Sequence, residues 1–312
     1  MHAANDDTTD HDSAYSGLVD LDEHDQWAFG TSFDDPLAGV DTTLADGIDG
    51  ADLATYCLML GDDALICAQR LTQWCAHAPE LEEEVALANI GLDLLGQARL
   101  LLARAAAADP SVVPALPVGS PVPAEDALAF FRDESDFHCL RLVELDNGDF
   151  ACSIVRLLAF SVHRLALLAR LRASRDPVLA AVAAKGVKEV TYHRDYAARW
   201  LITLAQGTDE SRRRTTEAIA LVWPYVAEMF DPHPVAKRLA AAEAAVDSST
   251  VRPEFDAVMT EIFTAAGLPH PQAVAAARVG GRAGRDGIHT EALGFLLAEM
   301  QSVARAHPMG RW

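Results

Sequence analysis

The stretch LGDDALICAQRLTQWCAHAPELEEEVALANIGLDLLGQARLLL, residues 60–102, decides the fold class. Its apolar residues continue a run that begins with Leu53, Tyr56, Cys57 and Leu60 and passes through Leu65, Ala68 and Leu71. Steps of three and four put these side chains on one face of a helix, where a strand would alternate. Pro79 suits a first helical turn because its φ is already helical, and Glu80, Glu82, Glu83 and Glu84 bring negative charge to the positive end of the helix dipole. The spacing predicts two long helices, 52–77 and 80–107, joined by a short turn.

The same periodicity extends outward. DPSVVPALPVGSPVPAED, 109–126, holds five prolines and a glycine and reads as a connector leading to a helix over 125–145. Asp146-Asn147-Gly148-Asp149 is a turn signal, after which Ile154, Leu157, Leu158, Val162, Leu165 and Leu168 keep helical spacing over 149–173. Asp176-Pro177 supplies a cap and a first-turn proline for a helix over 177–205, and a further helix covers 209–230, with Pro224 disturbing its last turns. No alternating window long enough for a sheet occurs. Two helical hairpins separated by a long connector, 109–148, have the connectivity of a ferritin-like bundle, so the expected class is all-α with extra C-terminal helices.

The 312 residues are 50% hydrophobic and 23% charged, with a formal net charge of −21. Thirteen acids and no Lys or Arg lie in 1–50, leaving 33 acids against 25 bases in 51–312. Such a stretch, with few aromatics, is expected to be a disordered acidic extension, and 51–312 to be one helical domain. The charge disfavours a nucleic-acid partner, since that binding draws on Lys and Arg. The longest charge-free runs contain Pro or Gly and fall short of a bilayer span, and the first residues lack a basic and an apolar region, so a cytoplasmic protein without a membrane partner is expected. Cys57, Cys67, Cys75, Cys139 and Cys152 form no CxxC and read as reduced core thiols.

A di-iron ferritin-like site takes a Glu from each of two helices and a Glu-x-x-His from each of the other two. No Glu-x-x-His occurs in the chain. Where the long helices would carry it they read Asp93-Leu94-Leu95-Gly96 and Glu189-Val190-Thr191-Tyr192-His193. Glu189 and His193 share a face, yet an i,i+4 pair also fits a buried hydrogen bond. Asp62 and Asp63 fall in an apolar stretch, and a buried carboxylate needs a partner, for which Arg99 and Arg70 are candidates. The only Asp-x-x-His, Asp286 to His289, follows GGRAGR, whose Arg278, Arg282 and Arg285 read as a connector. His163 reads as a satisfied core histidine, Glu134 and His138 as an i,i+4 pair, and Trp74, Trp200 and Trp223 as packing anchors. Two enzyme readings stay open: an atypical di-iron site from Asp63, Asp93, Asp149, Glu189 and His193, or a helical hydrolase using Cys67 or Cys152 with a Glu and a Tyr.

Residues 60–102, with FFRDESDFHCLRLVELDNGDFACSIVR (130–156), SRDPVLAAVAAKGVKEVTYH (174–193) and GIHTEALGFLLAEMQSVARAHPMGRW (287–312), resemble one family. They are similar, in order, to the PaaC-type ferritin-like subunits of ring-1,2-phenylacetyl-CoA epoxidases. The likeness runs through 53–230 and 287–312, is looser over 231–280 and does not reach 1–50. The resemblance implies a structural, non-catalytic subunit with no metal or cofactor of its own. Its implied partners are a PaaA-like subunit with the di-iron site and acyl-CoA pocket and a PaaB-like subunit. In the wider system a flavin and iron–sulfur reductase delivers electrons from NADPH for epoxidation of the aromatic ring by O₂. Gly96 and Tyr192 stand where that pattern expects a ligand histidine. Asp63, Asp93, Glu189 and His193 are then the remnants of a di-iron site.

Overall fold

The structure is a computed structural model that describes residue 37 and residues 39–310. Among the described residues there are ten α-helices and no strand. Helices α1 (Gly50–Thr72) and α2 (Leu81–Ala108) form one hairpin, and α5 (Phe150–Leu171) and α6 (Pro177–Gln206) the other; α2 and α6 pack together. Helices α7 (Asp209–Val222) and α9 (Arg252–Ala266) lie against α5 and α6, and α8 (Pro234–Ala241) against α1. Between the hairpins run the short helices α3 (Ala124–Phe130) and α4 (Arg141–Glu144), which α10 (Glu291–Ala306) covers. This is the expected ferritin-like arrangement.

Three of the four long helices, α1, α5 and α6, start at a carboxylate that caps them. Asp49 accepts from Asp52 N, Asp149 from Cys152 N and Asp176 from Leu179 N, each satisfying an amide that has no partner inside its helix. Leu87, Ile90, Leu94, Ala98 and Leu101 turn one face of α2 into the core, and α5 is buried on all sides for most of its length. By length and composition α2 and α5 could each cross a membrane, but α5 is the central helix of the bundle. Phe150 stands edge-on between Trp74 and Trp200, with ring centroids 5.8 and 5.1 Å away, so these tryptophans are the packing anchors their sequence suggested.

Two expectations shift. The helix predicted over 125–145 breaks into α3, a 3-10 turn at Glu134–Asp136 and α4. The cause is tertiary: the amides of His138 and Leu140 donate to Asp62 and Asp63 of α1, both at 2.8 Å, and so are not available to a helix. The acidic extension 1–50 lies largely outside the described residues. Of its last part, Leu37 and Ile48 are buried in the core and the Thr42 carbonyl accepts from Arg104 Nη1 at 2.8 Å, so packing begins before residue 51.

Arg104 also fastens the bundle from within. Its Nε and Nη2 donate to Asp176 Oδ2 at 3.0 and 2.6 Å, both side chains are wholly buried, and the other Asp176 oxygen caps α6. Removing the carboxylate leaves a buried guanidinium without its counter-ion, which costs about 3–5 kcal/mol. Urea denaturation of Asp176→Ala is expected to show a loss of that order. A loss within about 0.5 kcal/mol, typical of a surface change, would show that the pair does not hold the hairpins together.

Candidate functional site

The interior of the bundle holds charge on every long helix. On α1, Asp62 accepts from Arg132 Nη1 at 3.1 Å and pairs closely with its Nη2, and Asp63 accepts from Arg285 Nη1 and Nη2 at 3.0 and 2.7 Å. Burial pushes the Asp63 carboxyl above the ordinary range, against the lowering pull of Arg285 and the Leu140 amide. The partners are thus Arg132 and Arg285, not the expected Arg70 and Arg99; Arg70 donates to the Glu144 carbonyl, and Arg99 bonds Glu125. Arg285, in the segment read as a connector, also donates to the Met59 and His138 carbonyls at 2.8 Å each. His138 Nδ1 lies 3.0 Å from the Arg285 carbonyl, which replaces the expected pairing with Glu134.

Further along the bundle stands another cation. Arg164 of α5 is buried, donates from Nε to Gln97 Oε1 of α2 at 2.9 Å and from Nη1 to the Leu60 carbonyl of α1 at 3.3 Å. Gln97 Nε2 passes the chain on to Glu189 Oε2 of α6 at 2.8 Å, and Lys185 meets the other Glu189 oxygen at 3.3 Å. One guanidinium therefore links all four long helices. Gly186 makes room for it, since a Cβ there would stand 2.8 Å from Leu168 Cδ1 and 3.3 Å from Gln97 Nε2. Arg164 Nη2, Ser161 Oγ and His163 Nε2 are buried without a hydrogen-bond partner. His163 is a core histidine as expected but not a fully satisfied one, and burial pushes its pKa down to about 3.

Asp63, Asp93, Glu189 and His193 do not converge. Among the described residues no three of them bring ligand atoms within 4.8 Å of one another. Asp63 belongs to Arg285, Glu189 to Gln97 and Lys185, and His193 Nε2 to Asp93 Oδ2 at 3.0 Å. The His193 pKa is lowered, burial outweighing the Asp93 bond, so the ring donates as a neutral imidazole. Gly96 has open space beyond its Cα and Tyr192 is exposed, so the two positions expected to carry histidines face outward. The donor set does not fit a pair of iron ions: Asp63 and Glu189 are already paired with Arg285 and Lys185, Asp93 and the one imidazole are engaged with each other, and a guanidinium sits among them. Burial also raises Cys67 to about 11 and raises Cys152, so neither thiol is poised as a nucleophile.

Among the described residues the group of metal-type side chains that does converge is Cys139, Glu144 and His289, with the Glu144 and His289 side chains wholly buried. His289 Nδ1 lies 2.8 Å from Glu144 Oε2, Nε2 lies 2.9 Å from the Phe137 carbonyl, and Cys139 Sγ is 3.9 Å from both partners. Thr290 N donates to the other Glu144 oxygen at 2.5 Å. Both ring nitrogens face acceptors, which calls for two protons and makes the ring an imidazolium rather than a ligand. Burial lowers its pKa, and the bonds to Glu144 and Phe137 more than reverse this, so the net direction is up. The Asp286 carboxylate of the Asp-x-x-His match turns away to accept from Ala283 N at 3.1 Å. Sequence reading passed over Arg164 and Glu144. The available signal was an arginine with Phe160, Leu167 and Leu168 at helical contact positions, in FACSIVRLLAFSVHRLALLARL.

Fold and interior together define a ferritin-like bundle whose charges are closed into ion pairs and hydrogen-bonded chains. Residues 43–312 match the family model PaaA_PaaC, phenylacetic acid catabolic protein. The chain is 44% identical over 260 residues to a protein of Escherichia coli (strain K12) named as a subunit of 1,2-phenylacetyl-CoA epoxidase, a match covering 83% of this chain and 99% of that relative. The chain belongs to the phenylacetic acid catabolic protein family.

The His289–Glu144 pair has a pH signature. A histidine whose folded pKa is raised contributes stability that is fully present below its unfolded pKa of about 6.5 and is lost as pH rises through the folded value. The difference in unfolding free energy between the wild type and His289→Gln should be largest below about pH 6.5 and shrink at higher pH. A difference independent of pH would show that the ring is not charged in the folded state.

Proposed function

We propose that this chain is the structural subunit of a phenylacetyl-CoA epoxidase, holding a related di-iron subunit in place without catalytic residues of its own. The observation that carries this reading is Arg164. A guanidinium bonded to Gln97, and through it to Glu189, stands in the middle of the four-helix core, where a catalytic member would need carboxylates and imidazoles free to bind cations. The relative named as a subunit of the epoxidase supports the assignment to this system. A bundle that gave up its cations could not leave several carboxylates facing one another, and here Arg132 and Arg285 pair with Asp62 and Asp63 and Lys185 with Glu189.

On this reading the metal, the acyl-CoA pocket and the oxygen chemistry belong to a PaaA-like partner. A PaaB-like chain joins the assembly, and a flavin and iron–sulfur reductase supplies electrons from NADPH. The whole works in the cytoplasm, away from membrane and nucleic acid.

Iron analysis with size-exclusion mass, on the chain expressed alone and with its PaaA-like partner in iron-supplied cells, tests the proposal. Iron is expected in the pair and not in the lone chain. About two iron atoms per lone chain, the load of a di-iron site, would replace the structural reading with an enzyme whose ligands come from Asp63, Asp93, Asp149, Glu189 and His193.

A further inference from the structure

Among the described residues four buried side-chain atoms have no hydrogen-bond partner, and three of them, Ser161 Oγ, His163 Nε2 and Arg164 Nη2, fall within one turn of α5. Buried polar groups are almost always paired, so such a group calls for a ligand or a water. The three divide by direction. His163 stands edge-on to Phe230, with ring centroids 5.4 Å apart. Ser161 and Arg164, three residues apart, are neighbours on one helix face, and both are at least nine-tenths buried. A helical side chain leans back over the turn before it, and Arg164 does so: its Cζ is 5.5 Å from the centroid of the Phe160 ring. The guanidinium therefore lies over the turn that carries Ser161, whose side chain is small where Leu157, Leu158, Leu165 and Leu168 share the face.

The charge of this face is open as well. Arg104, Arg132, Arg141 and Arg285 each meet a carboxylate. The two buried arginines of α5 do not. Arg156 donates to the Leu145 carbonyl and Asn147 Oδ1, and Arg164 to Gln97 Oε1 and the Leu60 carbonyl, all neutral acceptors. The Asp63 carboxylate near Arg164 is already bonded to Arg285. Cys67 of α1 feels both guanidiniums, but burial raises it to about 11 and keeps it a thiol, so it supplies no charge. A buried cation without a counter-ion is strongly unfavourable.

We propose that Arg164 Nη2 and the Ser161 hydroxyl bind one monovalent anion of halide size, such as chloride, inside the four-helix core. A guanidinium nitrogen can only donate and a hydroxyl can donate once, so the two together ask for an acceptor. A halide accepts from both, needs no donor in return and brings the negative charge that Gln97 and the Leu60 carbonyl lack. A water accepts but leaves the charge unbalanced, and an oxyanion needs more donors and more room than one arginine nitrogen and one serine provide. The site does not depend on the structural-subunit reading, since it involves neither a partner chain nor a reaction.

Two measurements on the full chain test it together. Crystals grown with sodium bromide are expected to show one anomalous peak at the bromine edge within hydrogen-bond reach of Arg164 Nη2 and Ser161 Oγ. In thermal unfolding, chloride or bromide is expected to raise Tm saturably, by about 2–4 °C at several times Kd, over sodium gluconate at equal ionic strength. Screening of surface pairs by salt would act alike with either anion. Arg164→Met should lose both the peak and the halide effect. Ser161→Ala, which removes one small polar group, should keep the fold and need about 3–10-fold more halide for the same shift. Density at the site without anomalous signal would assign it to water and overturn the proposal, as would no density there. A bromide peak in a chain whose Tm follows ionic strength alone would be an adventitious ion only, and would overturn it too. A halide effect unchanged in both variants would place the anion elsewhere and remove the site.

Discussion

Charge buried among helices has to be compensated where it stands, and that constraint organises this molecule. Asp62, Asp63, Asp176, Glu144 and Glu228 each meet a cation, from Arg132, Arg285, Arg104, His289 and Arg141 respectively. Every one of these partners lies far away in sequence, so each pair also sets the course of a connector. The segment after α3 runs where Asp62 and Asp63 can take its amides. The segment before α10 runs where Arg285 and His289 can reach inward. Such pairs add little net stability over an apolar core of the same volume, but once present neither member can be lost cheaply.

The helices themselves were legible because their information is local. Spacing of Leu53, Tyr56, Cys57 and Leu60, and the caps at Asp149 and Asp176, predict elements within a few residues of those observed. The break in 125–145 was not legible, because it depends on carboxylates more than 70 residues earlier drawing the His138 and Leu140 amides out of a helix. The partners of Asp62 and Asp63 were missed for the same reason. Arg285 sits among glycines, where composition suggests a loop and says nothing of burial. Leu37 and Ile48 were hidden by the acidic residues around them, although each finds a place in the core.

The candidate site was legible mainly by subtraction. The lack of Glu-x-x-His removes the imidazoles that a di-iron bundle needs, but it does not say what takes their place. The structure supplies the positive part: between the four long helices stand the Arg164 guanidinium and its hydrogen-bonded chain through Gln97 to Glu189. Gly186 belongs to the same solution, because a side chain there would collide with Leu168 and crowd Gln97.

The central claim is that a guanidinium, not a metal, balances the charge between the long helices. A crystal structure of the lone chain grown with ferrous iron, with anomalous diffraction recorded at the iron edge, tests it most directly. The account predicts no anomalous peak in the core and continuous density for Arg164 reaching Gln97. A peak bridging Asp63, Asp93, Glu189 or His193, with Arg164 swung aside, would contradict it.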